Sequence, residues 1–63
     1  MNTFDAVMIA EGVHEASEKE VLEAWQHLID TDTCWNLQGW FGRTALRLIE
    51  EGVCAPKREN NEN

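Results

Sequence analysis

The stretch Asn36-Leu37-Gln38-Gly39-Trp40-Phe41-Gly42-Arg43, "NLQGWFGR", decides how the second half of the chain folds. It sets two glycines, two of the five aromatic residues and an arginine side by side. Before it stands "LIDTDTCW" and after it "TALRLIEEG", both patterned as helix. Either the glycines interrupt a helix, or they sit inside one where another backbone comes close. On a wheel of ~100° per residue, Leu37, Phe41, Thr44, Ala45 and Leu48 gather on one side. Trp35, Gly39, Gly42, Leu46 and Ile49, with Val53 past the end, gather on the other. Asn36, Arg43, Arg47, Glu50 and Glu51 share the polar stripe between them.

This pattern predicts one helix over about 33–51 with two apolar faces. The Leu37–Leu48 face belongs to the core, against Trp25. A glycine in a helix interior costs about 1 kcal/mol relative to alanine, which close packing of a neighbour can offset. That neighbour is the first helix or the same face of a second copy, since cyclic dimers are the commonest oligomers. The reading adopted is a homodimer with Trp35, Gly39, Gly42, Leu46 and Ile49 as packing residues. The competing reading ends the helix at Gly39 and makes "LQG" a turn.

Two more helices lie upstream. "SEKE", Ser17 to Glu20, fits a capping box, and the helix it opens runs over 18–30. Val21, Leu22, Trp25, Leu28 and Ile29 form its apolar stripe, opposite Glu23, Gln26, His27 and Asp30. The first helix covers 4–11, with Thr3 as N-cap and Gly12 as the stop. The segments "MIAEGV" (8–13), "LIDTDT" (28–33) and "LIEEGV" (48–53) share one ending. Each places Gly or Asp where a left-handed cap is wanted and follows it with a residue able to fold back on the last turn. The expectation is an all-α three-helix domain over 1–54 and an unstructured polar tail over 55–63. With only 63 residues, the chain buries about 60% of its unfolded surface and gains from a partner.

The net charge of −7 resides in the front half, where eight acids face Lys19 alone through residue 32. Phosphate-backbone binding draws on clustered Lys and Arg, so direct nucleic-acid binding is not expected. Three readings of the acidity remain: a solvated face, a basic protein partner, or mimicry of nucleic acid through Glu11, Glu15, Glu18, Glu20 and Glu23. Trp40 falls in the polar stripe beside Arg43 and Arg47, with Gln38 near, a composition found at binding hot spots. Its alternative place is the edge of the core, the usual setting for tryptophan.

The segment "AWQHLIDTDTCWNLQGWFGRTALRLIEEGVC", Ala24 to Cys54, resembles a family of very short proteins of tailed bacteriophages and prophages. The family core reads AWQ-x-L-x-DTG-x-x-W-x-LQGWFGR-x-A-x-x-LI-x-x-G, and its most specific block is LQGWFGR. The likeness spans about half the chain, and Asp32 departs from it where the pattern has glycine. The resemblance implies a phage origin and carries no biochemical activity with it.

His14, His27, Cys34 and Cys54 lack the short-range ligand pairs of zinc sites, so no metal or other cofactor is expected. Cys34 and Cys54 are too far apart along a helix for a disulfide, which leaves free, partly buried thiols. No nucleophile–base motif and no phosphate loop occurs, so the chain reads as a non-enzyme. A helix-turn-helix reader would want a basic recognition helix, and only the third helix carries arginines. The start has no basic n-region and no run reaches membrane-spanning length. The expected location is therefore the cytoplasm, that of the host for a phage protein. The function expected is binding and modulation of a host or phage protein, the contact carried by Trp40, Arg43, Arg47 and Gln38. The alternatives are the acidic mimic and a small structural subunit of a virion.

Overall fold

The computed structural model describes residues 1–58 and contains helices α1 (Thr3–Ala10), α2 (Glu18–Asp30) and α3 (Gly39–Glu50). A short 3-10 turn, Thr33–Asn36, stands between α2 and α3. The all-α class and the three helices agree with the sequence pattern. No strand occurs among the described residues.

The N-termini of α1 and α2 are set by local side-chain chemistry. The Ser17 hydroxyl accepts from the Glu20 N–H at 3.1 Å, and the Glu20 carboxylate accepts from the Ser17 N–H at 2.9 Å. This is the full capping box, which satisfies two orphan donors at once. At α1 the cap is Asn2 rather than Thr3, because the Asn2 amide oxygen reaches the Asp5 N–H at 2.8 Å. The Thr3 hydroxyl instead hydrogen-bonds His27 Nε2 at 3.1 Å and ties α1 to α2.

All three expected stops are left-handed: Gly12 at φ 80°, Asp32 at 62° and Gly52 at 78°. At both glycines the next valine closes the outer bond of the motif, Val13 to the Met8 carbonyl at 3.0 Å and Val53 to the Leu48 carbonyl at 2.9 Å. The apolar half of the motif fails, since Val13 and Val53 stay 60% and 45% exposed.

The expected continuous helix over 33–51 is divided. Leu37 is extended at φ −99° and ψ −168°, and Gln38 at ψ 153° is the N-cap of α3. Two forces work against a continuous rod. The Asn36 side chain donates to the Asp32 carbonyl at 3.1 Å, a local bond that competes with the α-helical ladder. Extended Leu37 also packs half-buried against the core. The helix resumes at Gly39, so this glycine occupies the first turn and not an interior position.

The core joins Ala6 of α1, Ala24, Trp25, Leu28 and Ile29 of α2, Cys34, Phe41 and Ala45 of α3, and Cys54. Leu37, Trp40, Leu48 and Ile49 pack half-buried around it. Trp25 meets Phe41 at 5.9 Å and Trp40 at 6.2 Å between ring centroids, which bonds α2 to α3 through aromatic faces and edges. α1 lies along α2, and Trp35 and Leu46 are left about half exposed.

Residues 55–58, which form no helix or strand, run back over α2. The Gln26 amide pairs with the Ala55 backbone through two bonds, 2.8 and 2.9 Å. The Arg58 guanidinium donates twice to Asp30 Oδ2, at 2.6 and 3.0 Å, and the Lys57 ammonium meets Asp32 at 2.6 Å. The rest of the expected tail, 59–63, lies outside the described residues.

Candidate functional site

The second face of α3 survives the division of the helix, in altered form. A Cβ at Gly42 would stand 3.3 Å from the Trp35 indole and 3.8 Å from the Cys34 carbonyl. The close neighbour that Gly42 admits is thus the chain's own 3-10 turn. A Cβ at Gly39 would stand 3.0 Å from an Arg43 guanidinium nitrogen, so that side chain lies back over the helix start. Trp35 remains 46% exposed and Leu46, one turn beyond Gly42, 50%. Ile49 is half-buried on the core edge. The apolar row exists, and its outward half is Trp35 with Leu46.

Trp40 takes the core-edge place. It is half-buried, stacked on Phe41 at 4.0 Å with 29° between the planes and edge-on to Trp25. Gln38, Arg43 and Arg47 are exposed. Truncating Trp40 therefore removes packing as well as any contact with a partner. The polar members of the group, Arg43 and Arg47, are the ones free to meet another molecule without holding up the fold.

Glu11, Glu15, Glu18, Glu20 and Glu23 are all exposed. Glu20 is committed to the capping box, while the other four project from the end of α1, the linker and the first turns of α2. Among the described residues, the ion pairs are Lys57–Asp32 and Arg58–Asp30. Partial burial pushes the Asp30 carboxyl up, but the hydrogen bonds from Arg58 and Gln26, with the Arg58 charge, outweigh it and hold the group below its ordinary value.

Cys34 and Cys54 are free and buried. Burial pushes the Cys34 thiol up to about 11, helped by the nearby Asp32 charge, and it also raises Cys54. A thiol held protonated in an apolar setting is a poor nucleophile. No cluster of three or more His, Cys, Asp or Glu side chains among the described residues could hold a metal ion. No described helix is long and apolar enough to cross a membrane.

Sequence reasoning missed the role of Gln26, Asp30, Lys57 and Arg58 in tying the end of the chain to α2. The signal was visible in part, as a dibasic pair, Lys57 and Arg58, following two acids, Asp32 and Asp30, that stand 25 and 28 residues earlier. Spacing alone does not say that the two meet.

The geometry defines a small helical domain with an apolar row on one helix and a strapped acidic helix beside it. The chain belongs to a family described as a domain of unknown function, DUF7417, whose pattern matches residues 5–62. Neither the curated proteins nor the solved structures contain a match.

Proposed function

We propose that this chain is a non-enzymatic accessory protein of a tailed bacteriophage, which binds and modulates a host or phage protein in the host cytoplasm and self-associates through α3. The observation that carries the binding reading is the outward pair Trp35 and Leu46, about half exposed on either side of Gly42. In a chain of 63 residues, leaving two large apolar side chains half wet forgoes roughly 1.5–3 kcal/mol of burial that a partner surface recovers. The resemblance of Ala24–Cys54 to phage proteins supports the origin. The buried, protonated thiols support a role without covalent chemistry.

A second copy fits the row by charge. Arg43 and Glu50 lie on the exposed side of α3 on either side of Leu46. Two α3 helices crossing antiparallel about Leu46 set Arg43 of each copy against Glu50 of the other, as an isologous interface requires. Arg43 and Arg47, with Gln38, remain the polar residues that would take part in contact with a heterologous partner, and the fold does not depend on them.

Sedimentation at micromolar concentration tests the self-association. The expected result is a dimer for the wild type and a monomer for Leu46→Glu with unchanged helicity. A wild type that stays monomeric through the range overturns it. The partner contact is tested by affinity capture from host cells with wild type and the double variant Arg43→Glu, Arg47→Glu. Loss of a specific protein in the variant is expected, and identical recovery counts against those residues. The acidic-mimic reading is kept because Glu11, Glu15, Glu18 and Glu23 are all solvent-facing. Charge reversal at Glu15 and Glu18 abolishes the action of a mimic and leaves a contact through α3 intact.

A further inference from the structure

Beyond α3 the chain turns at Gly52, and the N–H groups of Val53 and Cys54 both reach back to the Leu48 carbonyl, at 2.9 and 3.1 Å. From Ala55 onward it is held by side chains of α2 and of the turn after it. The Gln26 carboxamide accepts from the Ala55 N–H at 2.8 Å and donates to the Ala55 carbonyl at 2.9 Å. It thus does for Ala55 what a neighbouring strand's backbone would do. Pro56 has no N–H to satisfy. The Arg58 N–H donates to Asp30 Oδ1 at 3.0 Å, and its guanidinium holds Oδ2. Gln26 also donates to Asp30 Oδ1 at 3.0 Å, which couples the two anchors across one turn of α2. Over residues 51–58 one side chain is buried, that of Cys54, which joins the core cluster. Burial raises its thiol, and so does the charge of Asp30, the carboxylate that Arg58 grips.

We propose that residues 54–58 form a latch that opens as one unit while the three helices stay packed, with Gln26 as the residue that holds it shut. The latch gives the core one small side chain, whereas the rest of the cluster, from Ala6 to Ala45, comes from the helices and the 3-10 turn. Its remaining bonds lie at the surface, since Ala55, Lys57 and Arg58 are exposed. Segments with few buried apolar contacts and solvent-exposed hydrogen bonds open at a lower free energy than the core does. The two ion pairs add little, because exposed pairs are weak. The amide pair on Ala55 therefore stands out as the closure, and it sits directly beside the one buried side chain. Opening withdraws Cys54 from the core and turns a shielded thiol into an accessible one. Cys34 is fully buried within the helical part and keeps its cover. The latch thus separates two cysteines that are alike in the closed state.

The latch uses none of the residues of the α3 contact, so neither the dimer nor its absence bears on it. The test is alkylation of the full chain by iodoacetamide as urea is raised, read at each cysteine by mass spectrometry, with circular dichroism followed in parallel. Cys54 is expected to label at urea concentrations where helicity is intact, and Cys34 only as helicity is lost. The rate at Cys54 should rise gently with urea and that at Cys34 steeply, because a local opening exposes far less surface than global unfolding. Gln26→Ala removes both bonds to Ala55 and should speed labelling of Cys54 at low urea roughly tenfold or more. Asp30→Asn, which weakens the hold on Arg58, should speed it several-fold. Circular dichroism confirms that each variant keeps its helices under these conditions. Labelling of the two cysteines together, in step with the loss of helicity, overturns the proposal. So does a Gln26→Ala chain, folded by circular dichroism, whose Cys54 labels no faster than that of the wild type.

Discussion

Asp32 carries the clearest conflict between a residue and its place. It stands at φ 62°, a conformation that costs an L-residue roughly 1–2 kcal/mol and an aspartate somewhat less. Its carboxylate recovers part of this by meeting Lys57, an exposed pair worth about 0–1 kcal/mol. Glycine at this position removes the strain and the pair together, whereas alanine removes the pair and keeps the strain. Urea denaturation should therefore find Asp32→Gly more stable than Asp32→Ala by about 1 kcal/mol. Equal stabilities would mean that the left-handed turn is not what the residue contributes. The buried thiols make a second prediction at this scale. Cys34 is fully buried and its thiol is pushed up to about 11. Alkylation of the native chain at neutral pH should leave both cysteines unmodified until denaturant is added, as mass spectrometry would read. Rapid labelling of Cys34 without denaturant would place it outside the core.

At the scale of elements, the start of α3 is the weakest designed feature. Gln38 occupies the N-cap and makes no side-chain cap bond, and the first turn has no acidic residue. Asp at this position supplies an acceptor for the open N–H groups and a charge that suits the positive end of the helix. Gln38→Asp should raise stability by about 0.5–1 kcal/mol, seen as a shift in the urea midpoint with unchanged slope. A decrease would show that the glutamine makes a contact not replaced by the cap. The strap over α2 predicts a pH effect. The Asp30 carboxyl is held below its ordinary 3.8, since burial, which raises it, is outweighed by Arg58 and Gln26. A carboxyl depressed on folding adds stability above its unfolded pKa and loses it as pH falls through the folded value. Stability should therefore decline on acidification below about pH 4, more steeply in the wild type than in Asp30→Asn. Identical acid profiles for the two chains would deny the carboxylate this role.

For the molecule as a whole, the helical class was legible because the deciding signals are local. The capping box at Ser17–Glu20 and the left-handed stops at Gly12, Asp32 and Gly52 need only neighbours within one turn. The core set was legible too, since Trp25, Leu28, Ile29, Phe41 and Ala45 recur at helical spacing and are all buried. The division of the third helix was not, because the wheel assumes a regular rod and Leu37 leaves it to reach the core in an extended conformation. The neighbour of Gly42 was likewise hidden: a bare position announces close approach without saying whose backbone or ring arrives, and here it is Trp35. The return of Lys57 and Arg58 to Asp32 and Asp30 joins residues 25 and 28 apart in sequence, and charge content alone does not pair them.

What this sequence determined unaided is the start of α2, the three left-handed stops and the centre of the core, all set by energies that act within a few residues. What only the tertiary structure decided is which apolar residues stay outside. Leu46 and Trp35 share the chemistry of their buried neighbours, yet a domain of three short helices has too little interior to enclose them all. Surface-to-volume geometry, a property of the whole chain, leaves those two facing outward, and the binding surface proposed for α3 is built on them.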